Sequence, residues 1–126
     1  MIGRPNIADD LSPHSNEAEE ALLGSILINP EGVFEVASFL QPSAFFIVGN
    51  RWIYEAICTV KERGDAVNNL TVIQELQNRN QLESIGGSVY VTRLMHDVRR
   101  GIHTETYGHI VERAAIRRQL PGINSL

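Results

Sequence analysis

Asn16-Glu17-Ala18-Glu19-Glu20-Ala21-Leu22-Leu23-Gly24-Ser25-Ile26-Leu27-Ile28 is the run that decides the fold. Asn16 and Glu19 stand three apart, the spacing of a capping box, and Glu17, Glu19 and Glu20 fall in the first turn, where the helix dipole favours negative charge. Ala18, Ala21, Leu22, Gly24, Ser25, Ile26 and Leu27 make a broad apolar stripe, and a helix is predicted over Glu17–Ile28. Pro30 lies where that helix stops and the next begins. A second helix is read over Glu31–Phe39 and a single turn from Pro42 to Phe45. A third runs over Asn50–Arg63, with Trp52, Ile53, Ala56, Ile57 and Val60 inward and Gly64 as its stop. Phe45, Trp52 and Ile53 are assigned to the core.

Beyond Gly64 the pattern stays helical. Thr71 with Gln74 repeats the capping logic for a helix to Arg79, with Val72, Ile73 and Leu76 inward. Leu82 and Ile85 read as a buried connector. Gly86 and Gly87 break the periodicity before a helix over Ser88–Val98 bearing Val89, Tyr90, Leu94 and Met95, and a last helix follows over Thr104–Leu120. Sustained period-two alternation is missing throughout, so the expected class is all-α.

At 126 residues, 43% apolar and 21% charged, the chain has the size and composition of one globular domain. The lone Cys58 forms no internal disulfide and is read as a small buried hydrophobe; no run approaches the ~18 apolar residues of a membrane span. The formal charge of −4 argues against an autonomous nucleic-acid binder, and it is uneven: residues 1–50 carry −6, residues 51–126 carry +2.

The chemistry of enzymes is hard to place. Lys61, the one lysine, sits inside a helical pattern, so there is no phosphate-binding loop of the Walker type. His14, His96, His103 and His109 are spaced too widely for paired ligation of a metal on one helix. Glu17, Glu19 and Glu20 are first-turn acids before they are a catalytic pair. The feature that resists dismissal is Arg99, Arg100, Arg113, Arg117 and Arg118, of which Arg113 and Arg117 share a helix face. With only Tyr107 nearby for base stacking, a protein partner is the favoured use.

The first run resembles the opening of the N-terminal domain of DnaB-type replicative DNA helicases. The resemblance continues through Pro42 to Phe46, Ile53-Tyr54-Glu55-Ala56, Arg63-Gly64, Leu70-Thr71-Val72, the Leu82 to Gly87 connector and Tyr107 to Arg118, over about residues 15–120. Three places depart from the family pattern. Asn50 stands where a histidine is common, Asn68 where an aspartate is frequent, and Arg99-Arg100-Gly101-Ile102-His103 replaces the usual Pro-Thr-Ala-x-Asn.

The resemblance implies a compact helical head of five to six helices followed by the first helix of a helical hairpin. The implied division is a mobile leader at 1–14, a head at 15–100, the hairpin helix at 101–120 and a tail at 121–126 that is as much a truncation scar as native sequence. It also implies a non-catalytic collar domain that assembles with itself, as a dimer or in the hexamer of the full-length protein, and docks primase or the helicase loader. ATP and magnesium belong to the helicase domain outside this chain, DNA is bound weakly or through that domain, and the setting is cytoplasmic, or the plastid for an organellar copy. A last helix without its hairpin mate is expected to expose its apolar stripe. The interface residues expected on that basis are Tyr90, Met95, Tyr107, Ile110, Val111, Ala114 and Arg117. The alternatives are the helicase-binding C-terminal domain of primase, which resembles the same fold, and a helical DNA-binding module.

Overall fold

Ser15, one residue earlier than the predicted cap, starts the first helix. Its hydroxyl accepts from the Ala18 amide at 3.1 Å, and α1 runs over Asn16–Ile28. The computed structural model describes residues 15–98 and 104–119. The leader, the Arg99–His103 segment and the tail lie outside those residues. The remaining elements are α2 (Gly32–Ala37), a 3-10 turn (Pro42–Ala44), α3 (Val48–Glu62), α4 (Asn69–Asn78), α5 (Gly87–His96) and α6 (Thr104–Gln119). Every element among the described residues is helical, as the periodicity predicts.

The broad stripe of α1 has the consequence its breadth demands. Residues 22–27 are all buried, because α2, α3, α5 and α6 each pack against this one helix. Its neighbours contribute Val33 and Val36 from α2, Ile53, Tyr54, Ile57 and Val60 from α3, Val72 and Leu76 from α4, Val91 and Leu94 from α5, and Val111 and Ala115 from α6. Phe45, just after the 3-10 turn, is fully buried with its ring 5.0 Å from that of Tyr54. Trp52, assigned to the core with it, is only half-buried at the edge, and Val89 is exposed, because α5 turns the opposite face, Val91 and Leu94, inward.

Two glycines show how closely the helices approach one another. A methyl group on Gly24 would fall inside contact distance of the Leu94 carbonyl oxygen and a Val98 methyl, so α1 and α5 meet backbone to backbone there. A methyl on Gly108 would sit 2.6 Å from Val36 Cγ1, which seats α6 on α2. Both positions tolerate no side chain without moving a helix.

The helix ends show why two sequence expectations shift. The capping box of α4 is Asn68 with Thr71, not Thr71 with Gln74: Asn68 Oδ1 accepts from the Thr71 amide at 2.9 Å and Thr71 Oγ1 accepts from the Asn68 amide at 3.0 Å. Asparagine caps as well as aspartate, so this departure from the family pattern leaves the helix start intact. Gly64, at φ +87°, is the left-handed stop predicted after α3. An ion-pair ladder then joins α3 to α4. Glu75, almost buried, is held by Arg79 at 2.8 Å and Arg63 at 2.9 Å, and these two guanidiniums keep its carboxyl below the usual carboxylate range. Arg79 also donates to Thr59 Oγ1 at 2.6 Å.

The last helix differs most from its expectation. Val111, Ala114 and Ala115 are buried, the His109 ring stacks on Phe39 at 4.2 Å, and Arg118 Nη2 donates to the Ala44 carbonyl at 2.6 Å. α6 therefore packs on α1, α2 and the 3-10 turn as part of the same core. Val111 and Ala114 are not an exposed patch, because the head itself supplies the cover that the expectation assigned to a missing hairpin mate.

Candidate functional site

Glu19 is a carboxylate in phase with Leu22 and Ile26, and it is as buried as they are, at 1% exposure. It did not go into the capping box of its own helix. Its Oε2 accepts from the Phe46 amide at 2.6 Å, and its Oε1 from the Ile47 amide at 3.3 Å and Asn50 Nδ2 at 3.0 Å. Ile47 is the N-cap residue of α3 and has no side-chain cap of its own, so Glu19 caps α3 from another helix, at the end where the dipole favours an anion. Asn50 Oδ1 in turn accepts from the Tyr90 hydroxyl at 2.6 Å. The chain Glu19–Asn50–Tyr90 thus ties α1, α3 and α5 together. Burial, with Glu20 nearby, pushes the Tyr90 hydroxyl up to about 12, so it stays a donor at neutral pH. Asn50, a departure from the family pattern, is the middle link.

This network carries a prediction. Glu19→Gln keeps the shape but turns an amide NH2 toward at least one of three N–H donors, leaving a buried donor unpaired. Such a loss costs about 1–3 kcal/mol. The expected result is a lower midpoint in urea with an unchanged slope. Parent-like stability in that titration would show that the carboxylate is not what α3 reads.

An open groove of about 580 Å³ lies between the start of α1, the end of α5 and α6. Ala18, Ala21, Tyr107 and Ile110 form its apolar floor, and Glu17, Glu20 and Asp97 stand around it. Of the residues expected at an interface, the structure brings Tyr107 and Ile110 together here, both half-buried. Arg117 is exposed further along α6. Tyr90 and Met95 are half-buried on α5 against the core and do not line the groove, while Val111 and Ala114 face inward. The acidic rim was missed in the sequence because first-turn glutamates have a sufficient explanation in the dipole. The usable signal was the register of Glu17 with Glu20 and of Ala18 with Ala21, each pair three apart and so on one side of the helix.

The remaining chemistry-bearing residues are packed or paired. Lys61 lies in the last turn of α3 with its ammonium 4.5 Å over the Phe34 ring. Cys58 is half-buried rather than fully buried, and burial raises its thiol above the usual range. His109 lies 3.2 Å from Glu112 and 3.7 Å from Glu105 on the surface of α6. Among the described residues no three His, Cys, Asp or Glu side chains are grouped as metal ligands would be, and no helix is long and apolar enough to cross a membrane.

Among the described residues the fold is an all-helical head with an open groove between its helices. Residues 11–113 match the family model described as the DnaB-like helicase N terminal domain, and the chain belongs to that family. It is 36% identical over 112 residues to the replicative DNA helicase DnaC of Bacillus subtilis and 34% identical over 113 residues to the replicative DNA helicase DnaB of Geobacillus stearothermophilus. Those matches cover 89% and 90% of this chain but 25% of each relative, so the chain spans about a quarter of their length. Among solved structures, the N-terminal domain of DnaB helicase from Mycobacterium tuberculosis superposes with a TM-score of 0.82 at 30% identity, over 85% of this chain and 76% of that one.

Proposed function

We propose that the chain is the non-catalytic head of a replicative DNA helicase, working as a collar and docking domain for self-assembly and for primase or the helicase loader. The observation that carries this reading is the length relation: a helical chain that matches an N-terminal domain family over most of its length covers only a quarter of relatives named as replicative helicases. In the full-length protein, unwinding, ATP and magnesium fall to a separate domain, and the whole assembles as a hexamer in the cytoplasm. The docking residues that remain on the surface are Tyr107, Ile110 and Arg117, joined on α5 by Tyr90 and Met95. Val111 and Ala114 serve by holding α6 in place.

A DNA-binding module is disfavoured by the placement of charge. α6 begins Thr104-Glu105 and gathers Arg113, Arg117 and Arg118 toward its C-terminus, whereas a recognition helix aims its N-terminal end at the groove. The test is sedimentation and calorimetry of Ile110→Asp and Arg117→Ala, each alone and with the helicase-binding domain of primase. Ile110→Asp is expected to abolish association by setting an unpaired carboxylate on the apolar floor, and Arg117→Ala to weaken it only at the rim. The reverse order would move the interface to the arginine face, and tight, salt-steep DNA binding by the parent chain would replace the collar reading with a DNA-binding one.

A further inference from the structure

We propose that the groove between α1, α5 and α6 receives a basic amphipathic helix from a partner protein, its apolar ridge on Tyr107 and Ile110 and its flanking lysines or arginines against Glu17, Glu20 and Asp97. The inference rests on the reading of this head as a docking domain and names the chemistry of what docks. Three observations carry it.

The floor suits a helix more than a small molecule. Ala21, half-buried on α1 next to the buried Ala18, leaves a shallow channel beside Tyr107 and Ile110, and its volume of about 580 Å³ is open to solvent. The described part of the rim has one sign of charge. None of the described residues that line the groove is basic, and among the described residues Glu17 and Glu20 have no ion-pair partner, while Asp97 meets only the exposed Arg93 one turn back on α5 at 4.0 Å. A low-dielectric floor between like charges focuses their field outward, which favours a cationic occupant and repels an anionic one.

A second copy of the chain fits the groove less well than a foreign helix. An isologous contact through α6 would carry each copy's Glu17, Glu20 and Asp97 to the same two-fold axis, placing like charges face to face. Nucleic acid is repelled by the same rim.

The probe is a blocked, helical, fluorescein-labelled peptide of about four turns, with a Leu/Ile stripe flanked by lysines, compared with a twin in which glutamates replace the lysines. Anisotropy titration with the full 126-residue chain is expected to show the lysine peptide binding at least about tenfold more tightly than its twin, with affinity falling as salt rises. The doubly substituted Glu17→Lys, Glu20→Lys chain, its fold checked by circular dichroism, is expected to lose that preference. Equal binding of the two peptides, no binding of either, or a preference that survives the double substitution overturns the proposal. So does a concentration-dependent dimer in sedimentation that the lysine peptide fails to dissociate, which assigns the groove to a second copy. Failure in these assays leaves the outcome of the Ile110→Asp and Arg117→Ala comparison with primase unchanged, because that comparison registers docking by any surface that includes α6.

Discussion

A chain ended after Val98 is expected to lose its cooperative fold. Removing α6 uncovers the faces of α1 and α2 that Val111, Ala114 and Ala115 now cover, opens the seat of Gly108 against Val36, and strips the Arg118 bond from the Ala44 carbonyl. Burying one Val- or Leu-sized side chain is worth about 1.5–3 kcal/mol. Exposing several such groups on both sides of the α1–α6 contact removes an amount on the scale of the whole stability of a small domain, about 5–15 kcal/mol. The measurement is far-ultraviolet circular dichroism with a thermal melt of the parent and the shortened chain. A sigmoidal melt and most of the helical signal in the shortened chain would make residues 15–98 a self-sufficient head and α6 an appendage.

Phe45→Ala is expected to cost about 3–5 kcal/mol, the usual toll of emptying a buried aromatic site. The ring is fully buried and lies at a tilt to Tyr54, and the backbone around it has little freedom to collapse into the void. Arg118 holds the Ala44 carbonyl, Arg51 Nη2 holds the Phe45 carbonyl at 3.1 Å, and Glu19 holds the Phe46 and Ile47 amides. A site pinned at four consecutive residues relaxes poorly, which places the loss toward the upper part of that range. Tyr54 supplies a second readout. Its hydroxyl donates to the Leu40 carbonyl at 2.9 Å, and burial keeps it protonated well above the ordinary phenol range. The substitution should loosen that environment and bring the phenol's titration down in the ultraviolet. Equal stability of parent and variant in urea would contradict the buried ring.

Helix positions were legible because their signals are local. Gly64 ends α3 where a left-handed residue was required, Pro30 separates α1 from α2, and the six-residue burial of α1 follows from a stripe that leaves no polar side. Cap assignments slipped by one to three residues, from Asn16 to Ser15 and from Thr71 to Asn68, since Ser, Thr and Asn all cap and a stretch holding several offers alternative starts. The groove was half legible. Tyr107 and Ile110 stood out as apolar residues on a polar helix, but Glu17, Glu20 and Asp97 come from segments far apart in the chain and become one rim only when α1, α5 and α6 meet.

By itself the sequence determined that this chain is all-helical, where each helix lies within a few residues, and which family it joins, because 3.6-residue periodicity, helix stops and a run such as residues 16–28 are properties of neighbouring residues. The tertiary structure alone decided that Glu19 caps α3 instead of its own helix, that Asn50 bridges it to Tyr90, and that α6 is covered by the head. Each of these depends on which faces of distant helices come together. An apolar stripe states that a surface must be buried, and only the arrangement of the other helices states against what.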